Sequence, residues 1–298
     1  MSQPFLLLLL ICCVSACALK TQVEQTPSEL KINSLAHNVA FSDVTSLAFE
    51  PPAQVISYGE DPNQQIWRYR PLDNQAKANI VFIHGGCWLS QFDIEHTQAF
   101  SSALSKAGYQ VWSLEYRRAG NGGEWPVAIE DIVLAVHKIK DDYPDSFSAL
   151  PLVFMGHSAG GHLAMLASAK VLPQNDDLNV SDKWPDSTAI GLAPIVDIIG
   201  YSKGDNACQS ATPVFMGGDA EQRLEQYQHA SVLNYDFESG SAFVLIGGKD
   251  TIVDAKFARH PDATEIFESE AGHFDWIHPG TFAFKHILDV LARFEAKP

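Results

Sequence analysis

The stretch that decides the reading is Pro151-Leu-Val-Phe-Met-Gly-His-Ser-Ala-Gly-Gly-His162, followed by an alanine-rich run to Lys170. Leu152 to Met155 are apolar and read as a buried strand; Ser158 to Val171 carries helix-forming residues. One serine stands between glycines where strand meets helix. Gly156 and Gly160 remove side chains that would crowd so sharp a turn, and the turn pushes the Ser158 hydroxyl out at the carboxyl edge of the strand. A glycine-rich helix entry with a capping serine has the same letters, so the rest of the chain has to decide.

Working outward, strands alternate with helices. Ala53 to Tyr58 and Gln65 to Tyr69 read as two outer strands, and Asn79 to Ile83 as a buried one ending in His84-Gly-Gly. Thr97 to Ala107 is a helix stopped at Gly108, and Gln110 to Glu115 is a strand. Pro126 opens a helix whose Ile129, Ile132, Val133, Val136 and Ile139 keep the helical period. Beyond the serine, Ala189 to Pro194, Phe243 to Ile246 and Thr264 to Phe267 complete about eight strands; a short helix is expected near Asp254 to Arg259 and a closing one over Phe282 to Phe294. Strands separated by helices predict an α/β domain over residues 51–298, with a mostly parallel central sheet and helices on both faces. Residues 197–235 break the rhythm and are expected to be a small irregular cap over one end of the sheet. Residues 18–50 are expected to be a polar tether with some helical tendency, outside the core.

The chain has 298 residues, of which 46% are apolar, enough for a substantial core. Acidic residues outnumber basic ones 36 to 20, and the net charge of −16 disfavours nucleic acid and anionic lipid as partners. At the start, Phe5 to Ile11 is too short to span a bilayer and fits the core of a secretory signal. Val14-Ser-Ala-Cys17 resembles a bacterial lipobox, which implies a signal peptide over residues 1–17, lipid on Cys17, membrane attachment and an exported periplasmic or outer-membrane lipoprotein; an ordinary signal cut after Ala16 or Ala18 is the alternative. Either places the mature protein outside the cytoplasm. There Cys87 and Cys208 either pair or stay as two thiols.

A serine hydroxyl needs a base. His273, in Glu270-Ala-Gly-His-Phe-Asp275, follows a predicted strand, with Gly272 letting the loop bend; His278 is its rival. An acid belongs at the end of the strand before, where Gly248-Lys-Asp250 stands; Asp254 is the alternative, and helix capping is the other use for Asp250. A developing oxyanion needs N–H donors, and the turn Gly85-Gly86-Cys87 together with Ala159 can supply them. Trp88 and Trp125 are candidate pocket residues, Arg117 and Arg118 candidate partners for nearby carboxylates, His157 a support for the turn and His162 a structural helix residue.

Taken together, His84-Gly-Gly-Cys-Trp88, Glu115-Tyr-Arg-Arg118, Gly156-His-Ser-Ala-Gly-Gly161, Gly248-Lys-Asp250 and Gly272-His273 resemble the α/β-hydrolase esterase/lipase family, nearest its kynurenine-formamidase-like and feruloyl/acetyl-esterase-like branch and related to the hormone-sensitive-lipase group. The resemblance spans roughly residues 50–298. It implies Ser158, Asp250 and His273 as a catalytic triad, a small-molecule ester as substrate, and neither metal nor cofactor. It departs in having Glu115 where the hormone-sensitive group has Asp, and Cys87 where formamidases carry an aromatic residue. An exported chain suits ester hydrolysis better than formamide hydrolysis, which stays as the alternative beside a peptidase or a non-catalytic binder on the same fold.

Overall fold

Asn79–Ile83 and Leu152–His157 lie side by side at the centre of the sheet, and every residue of both is buried. The structure is a computed structural model and describes residues 36–73, 75–169 and 186–295; Cys17 and the expected signal therefore lie outside the described residues. The strands are β1 (Gln54–Ser57), β2 (Gln65–Tyr69), β3 (Asn79–Ile83), β4 (Gln110–Glu115), β5 (Leu152–His157), β6 (Ser187–Leu192), β7 (Ala242–Gly247) and β8 (Thr264–Glu268). They form one eight-stranded sheet in the order β1-β2-β4-β3-β5-β6-β7-β8; only the β1–β2 and β2–β4 pairs are antiparallel.

The helices are α1 (Phe41–Thr45), α2 (Gln98–Lys106), α3 (Val127–Asp142), α4 (Pro144–Ala149), α5 (Ala159–Ser168), α6 (Ile198–Tyr201), α7 (Ala207–Met216), α8 (Leu224–Ala230), α9 (Ala255–Ala258) and α10 (Phe282–Leu291). Successive strand residues point to opposite faces, so one strand serves two cores. Val81, Ile83 and Phe154 pack with α3 and α5; Ile80, Phe82, Val153 and Met155 pack on the other side with α2 and α10. Each such side chain, fully buried, stabilises the fold by about 1.5–3 kcal/mol. The apolar runs are continuous because both faces are covered, as parallel sheets require.

Three expectations change. Residues 197–235 are not irregular: α6, α7 and α8 occupy them, with Tyr201, Phe215 and Tyr227 fully buried. The starting signal for α7 is a capping box, in which the Asn206 side chain accepts from Gln209 N and the Gln209 side chain accepts from Asn206 N; Gly217, at φ 72°, ends the helix. Residues 36–50, read as a tether outside the core, carry the short helix α1, in keeping with a helical tendency, but bury Val39 and Val44 in the second core. That segment is short, and its packing partners lie far along the chain, so no local period reveals them. Pro126 is the residue before α3 rather than its first, and follows a cis Trp125–Pro126 bond.

Candidate active site

β5 ends in the turn that presents Ser158. The serine has φ 56° and ψ −120°, a backbone region costly for a residue with a side chain. Its N–H donates to Leu192 O at 2.8 Å, which ties the turn to β6. Gly160 explains why the motif tolerates no side chain there: a Cβ at that position would stand 2.2 Å from Ile83 O and 2.3 Å from His84 O. The first turn of α5 is thus pressed against the end of β3, and the serine and the His84-Gly-Gly turn become neighbours. Ala159 opens α5, so its N–H has no acceptor within the helix.

His273 follows β8 and approaches from the other side. Its Nδ1 lies 2.7 Å from Asp250 Oδ2, and both side chains are almost fully buried. The other oxygen of Asp250 accepts from Ile252 N and Val253 N, each at 2.8 Å. The carboxylate therefore both shapes its own loop and holds the imidazole. Asp254 instead caps α9 through Lys256 N, and His278 Nδ1 accepts from Gly280 N in its own turn; neither rival lines the cavity that holds Ser158.

Ser158 and His273 line one cavity of about 270 Å³, together with Gly86, Cys87, Ile252 and Phe274. Its surface is mostly apolar side chain. Gly86, Cys87 and Trp88 all have positive φ, and this left-handed run swings the turn toward the serine. Gly85 is not in the lining; it packs behind, where a Cβ would meet His157 O at 2.8 Å. Trp88 does not line the cavity either. It is fully buried and stacks on Phe215 with centroids 4.8 Å apart, while Trp125 meets Phe215 edge-on. The expectation of Trp88 and Trp125 as pocket residues is corrected, because the left-handed backbone at Cys87 and Trp88 turns the indole toward α7. Cys87 and Cys208 form a disulfide that joins the same turn to α7.

A buried polar shell supports these groups. His84 Nδ1 donates to Gly85 O at 2.8 Å; burial and the nearby Arg118 guanidinium push its pKa down to about 3, so the ring is neutral. Tyr116 donates its hydroxyl to His84 O at 2.9 Å. Glu115 pairs with Arg118 and accepts from Ile94 N and Tyr116 N. Arg117 grips buried Asp131 with two N–H donors at 2.9 and 2.7 Å. His157 Nε2 donates to His273 O at 2.9 Å, and burial first, then its closeness to the His273 imidazole, push its pKa well down. His157 thus steadies the backbone of His273. His162 Nε2 donates to the Ala230 carbonyl, a structural contact as expected. Among the described residues, no three His, Cys, Asp or Glu side chains are placed to hold a metal ion.

The described geometry also explains which site residues were not visible beforehand. Phe41, Phe92 and His96 also line the cavity: Phe41 lies well before the first motif, and Phe92 and His96 follow shortly after Trp88 in a stretch that no pattern marks.

With sheet and site in place, the comparisons define a class. Residues 68–260 match the model of the family described as BD-FAE, nearly two thirds of the chain, and the protein belongs to that family. The matched span includes Ser158 and Asp250; His273 lies beyond it. The chain is 36% identical over 125 residues to the carboxylic ester hydrolase LipN of Mycobacterium tuberculosis, covering 41% of this chain and 31% of that protein. It is 28% identical over 155 residues to the versiconal hemiacetal acetate esterase of Aspergillus parasiticus, covering 51% and 46%. It therefore spans from under a third to under half of these relatives' length. Among solved structures, esterase B from Lactobacillus rhamnosis superposes with a TM-score of 0.66 at 17% identity, over 85% of this chain and 89% of that one. A truncated carbohydrate esterase from gut microbiota does so with a TM-score of 0.64 at 21% identity, over 82% and 99%. These structures establish the α/β-hydrolase fold.

Proposed function

We propose that the protein is a serine hydrolase of carboxylic esters, with Ser158, His273 and Asp250 as its triad. The observation that carries this reading is the 2.7 Å Asp250–His273 contact beside a cavity shared by His273 and the strained Ser158. In the mechanism, His273 takes the Ser158 proton as the hydroxyl oxygen attacks the ester carbonyl. Asp250 holds the ring in the tautomer with its proton on Nδ1 and stabilises the imidazolium. The tetrahedral oxyanion is received by the N–H groups of Cys87, Gly86 and Ala159, each such donor being worth about 3–4 kcal/mol in the transition state. The imidazolium then protonates the leaving alcohol. Water, deprotonated by the same ring, cleaves the acyl-enzyme and restores Ser158.

LipN and the versiconal esterase, both ester hydrolases by name, support the reaction class. The purified chain should turn over p-nitrophenyl acetate and react with a fluorophosphonate probe. Ser158→Ala should abolish both; turnover equal in the two proteins would reject the reading. The signal-like Phe5 to Ile11 and the lipobox-like Val14-Ser-Ala-Cys17 support a second part of the proposal, lipid on Cys17. Mass spectrometry of the membrane fraction should find acyl groups on that residue, and an unmodified N-terminus at Leu19 would count against it.

A further inference from the structure

Phe41 stands between two hollows. On one side is the 270 Å³ cavity with Ser158 and His273; on the other is a second hollow of about 390 Å³, whose lining includes Thr45, Phe49, Gln91 and Gln98. Three side chains belong to both linings: Phe41, Phe92 and His96. Phe41 touches each of the other two, and together they form a partition. The Phe41 ring lies 5.9 Å from Phe92, nearly perpendicular to it, 5.6 Å from His96 and 5.4 Å from Phe274.

Phe41 reaches this place because the chain before it is clamped. Asp275, buried and two residues beyond His273, accepts from Asn38 N at 2.8 Å through one oxygen. Its other oxygen accepts from Val39 N and from Gly272 N, both at 3.0 Å. One carboxylate thus joins the loop carrying His273 to the segment carrying Phe41. Hydrogen bonds to a carboxylate are roughly twice as strong as neutral ones, and here three N–H groups share one. Ala36 adds a parallel bridge to Thr281, and Val39 and Val44 anchor the segment in the core.

We infer that residues 36–45 are a fixed wall of the substrate site and that Phe41 is its specificity-determining residue, closing the catalytic cavity against the neighbouring hollow and so limiting the acyl group to a short one. The inference rests on the hydrolase reading and deepens it. In the partition, Phe41 is the ring carried by a segment separate from both the Cys87 turn and the His273 loop, and it packs on the latter only through Phe274. Its loss would merge the two hollows into one channel running from Ser158 past Phe49.

The test is a series of p-nitrophenyl esters from acetate to octanoate, run on the full chain and on Phe41→Ala, Phe41→Leu and Asp275→Asn. In the unsubstituted protein, kcat/KM should fall with acyl length. Phe41→Ala should raise the octanoate-to-acetate ratio at least tenfold, mainly through KM, with Phe41→Leu between. Asp275→Asn should move the ratio the same way and open residues 36–45 to limited proteolysis. A ratio within twofold of the original in both Phe41 variants would overturn the assignment of Phe41. An unchanged ratio with continued protease resistance in Asp275→Asn would overturn the clamp. If the unsubstituted protein neither hydrolyses any of these esters nor reacts with fluorophosphonate, the hydrolase reading itself fails.

Discussion

Asp250 divides its two oxygens between two duties, and the sequence alone posed these as alternatives. One oxygen caps the loop through Ile252 N and Val253 N; the other holds His273. Asp250→Asn keeps a capping oxygen but presents either an amide donor or the wrong charge to Nδ1. Its kcat should fall by about 10³–10⁴-fold with KM little changed. A loss below tenfold, measured by steady-state kinetics, would remove Asp250 from the triad. The order of serine, acid and histidine was legible because each follows a strand end, where the fold exposes side chains. Asp275 was not. It sits beside His273 in sequence, yet its partners Asn38 and Val39 are more than 230 residues away, and no local pattern announces such a bond.

The strands were legible because their apolar runs fall between turn signals, and all eight observed strands lie within a few residues of the expected ones. The helices of residues 197–235 were not, since α6 has four residues, α8 seven, and α7 contains Pro213. α7 is nonetheless attached twice to the turn after β3, by the Cys87–Cys208 disulfide and by the Trp88–Phe215 stack. The bridge closes a loop of 121 residues, for which the chain-entropy model gives about 4–5 kcal/mol. In a reducing agent, calorimetry should find Tm lower by roughly 10 °C. A Tm unchanged within about 2 °C would show that packing alone secures α7.

Across the molecule, four histidines are held neutral by burial. His84 and His96 are pushed down to about 3, His162 to about 4 and His157 well below the ordinary 6.5. Their folded-state pKa values lie below the unfolded one, so the stability they leave intact is full above about pH 6.5. It is lost as pH falls, because the unfolded chain binds protons that the folded one refuses. Asp275 and Glu130, raised by burial, titrate the other way and offset part of this. Urea denaturation between pH 6 and pH 5 should reveal uptake of about two to four protons on unfolding, each worth about 1.4 kcal/mol per pH unit. Stability that is flat over that range would mean these rings are protonated in place.

Local composition was sufficient for the strand order of events along the chain, the exposed turn at Ser158 and the kinds of group that would meet there, since periodicity and turn chemistry act over a few residues. Folding in space decided the rest: that Cys87 finds Cys208, that Trp88 turns away from the cavity and Phe41 turns into it, and that one carboxylate ties the segment of Asn38 and Val39 to the histidine loop. Those contacts join residues far apart in the chain, and their energies depend on burial, which no short stretch of sequence carries.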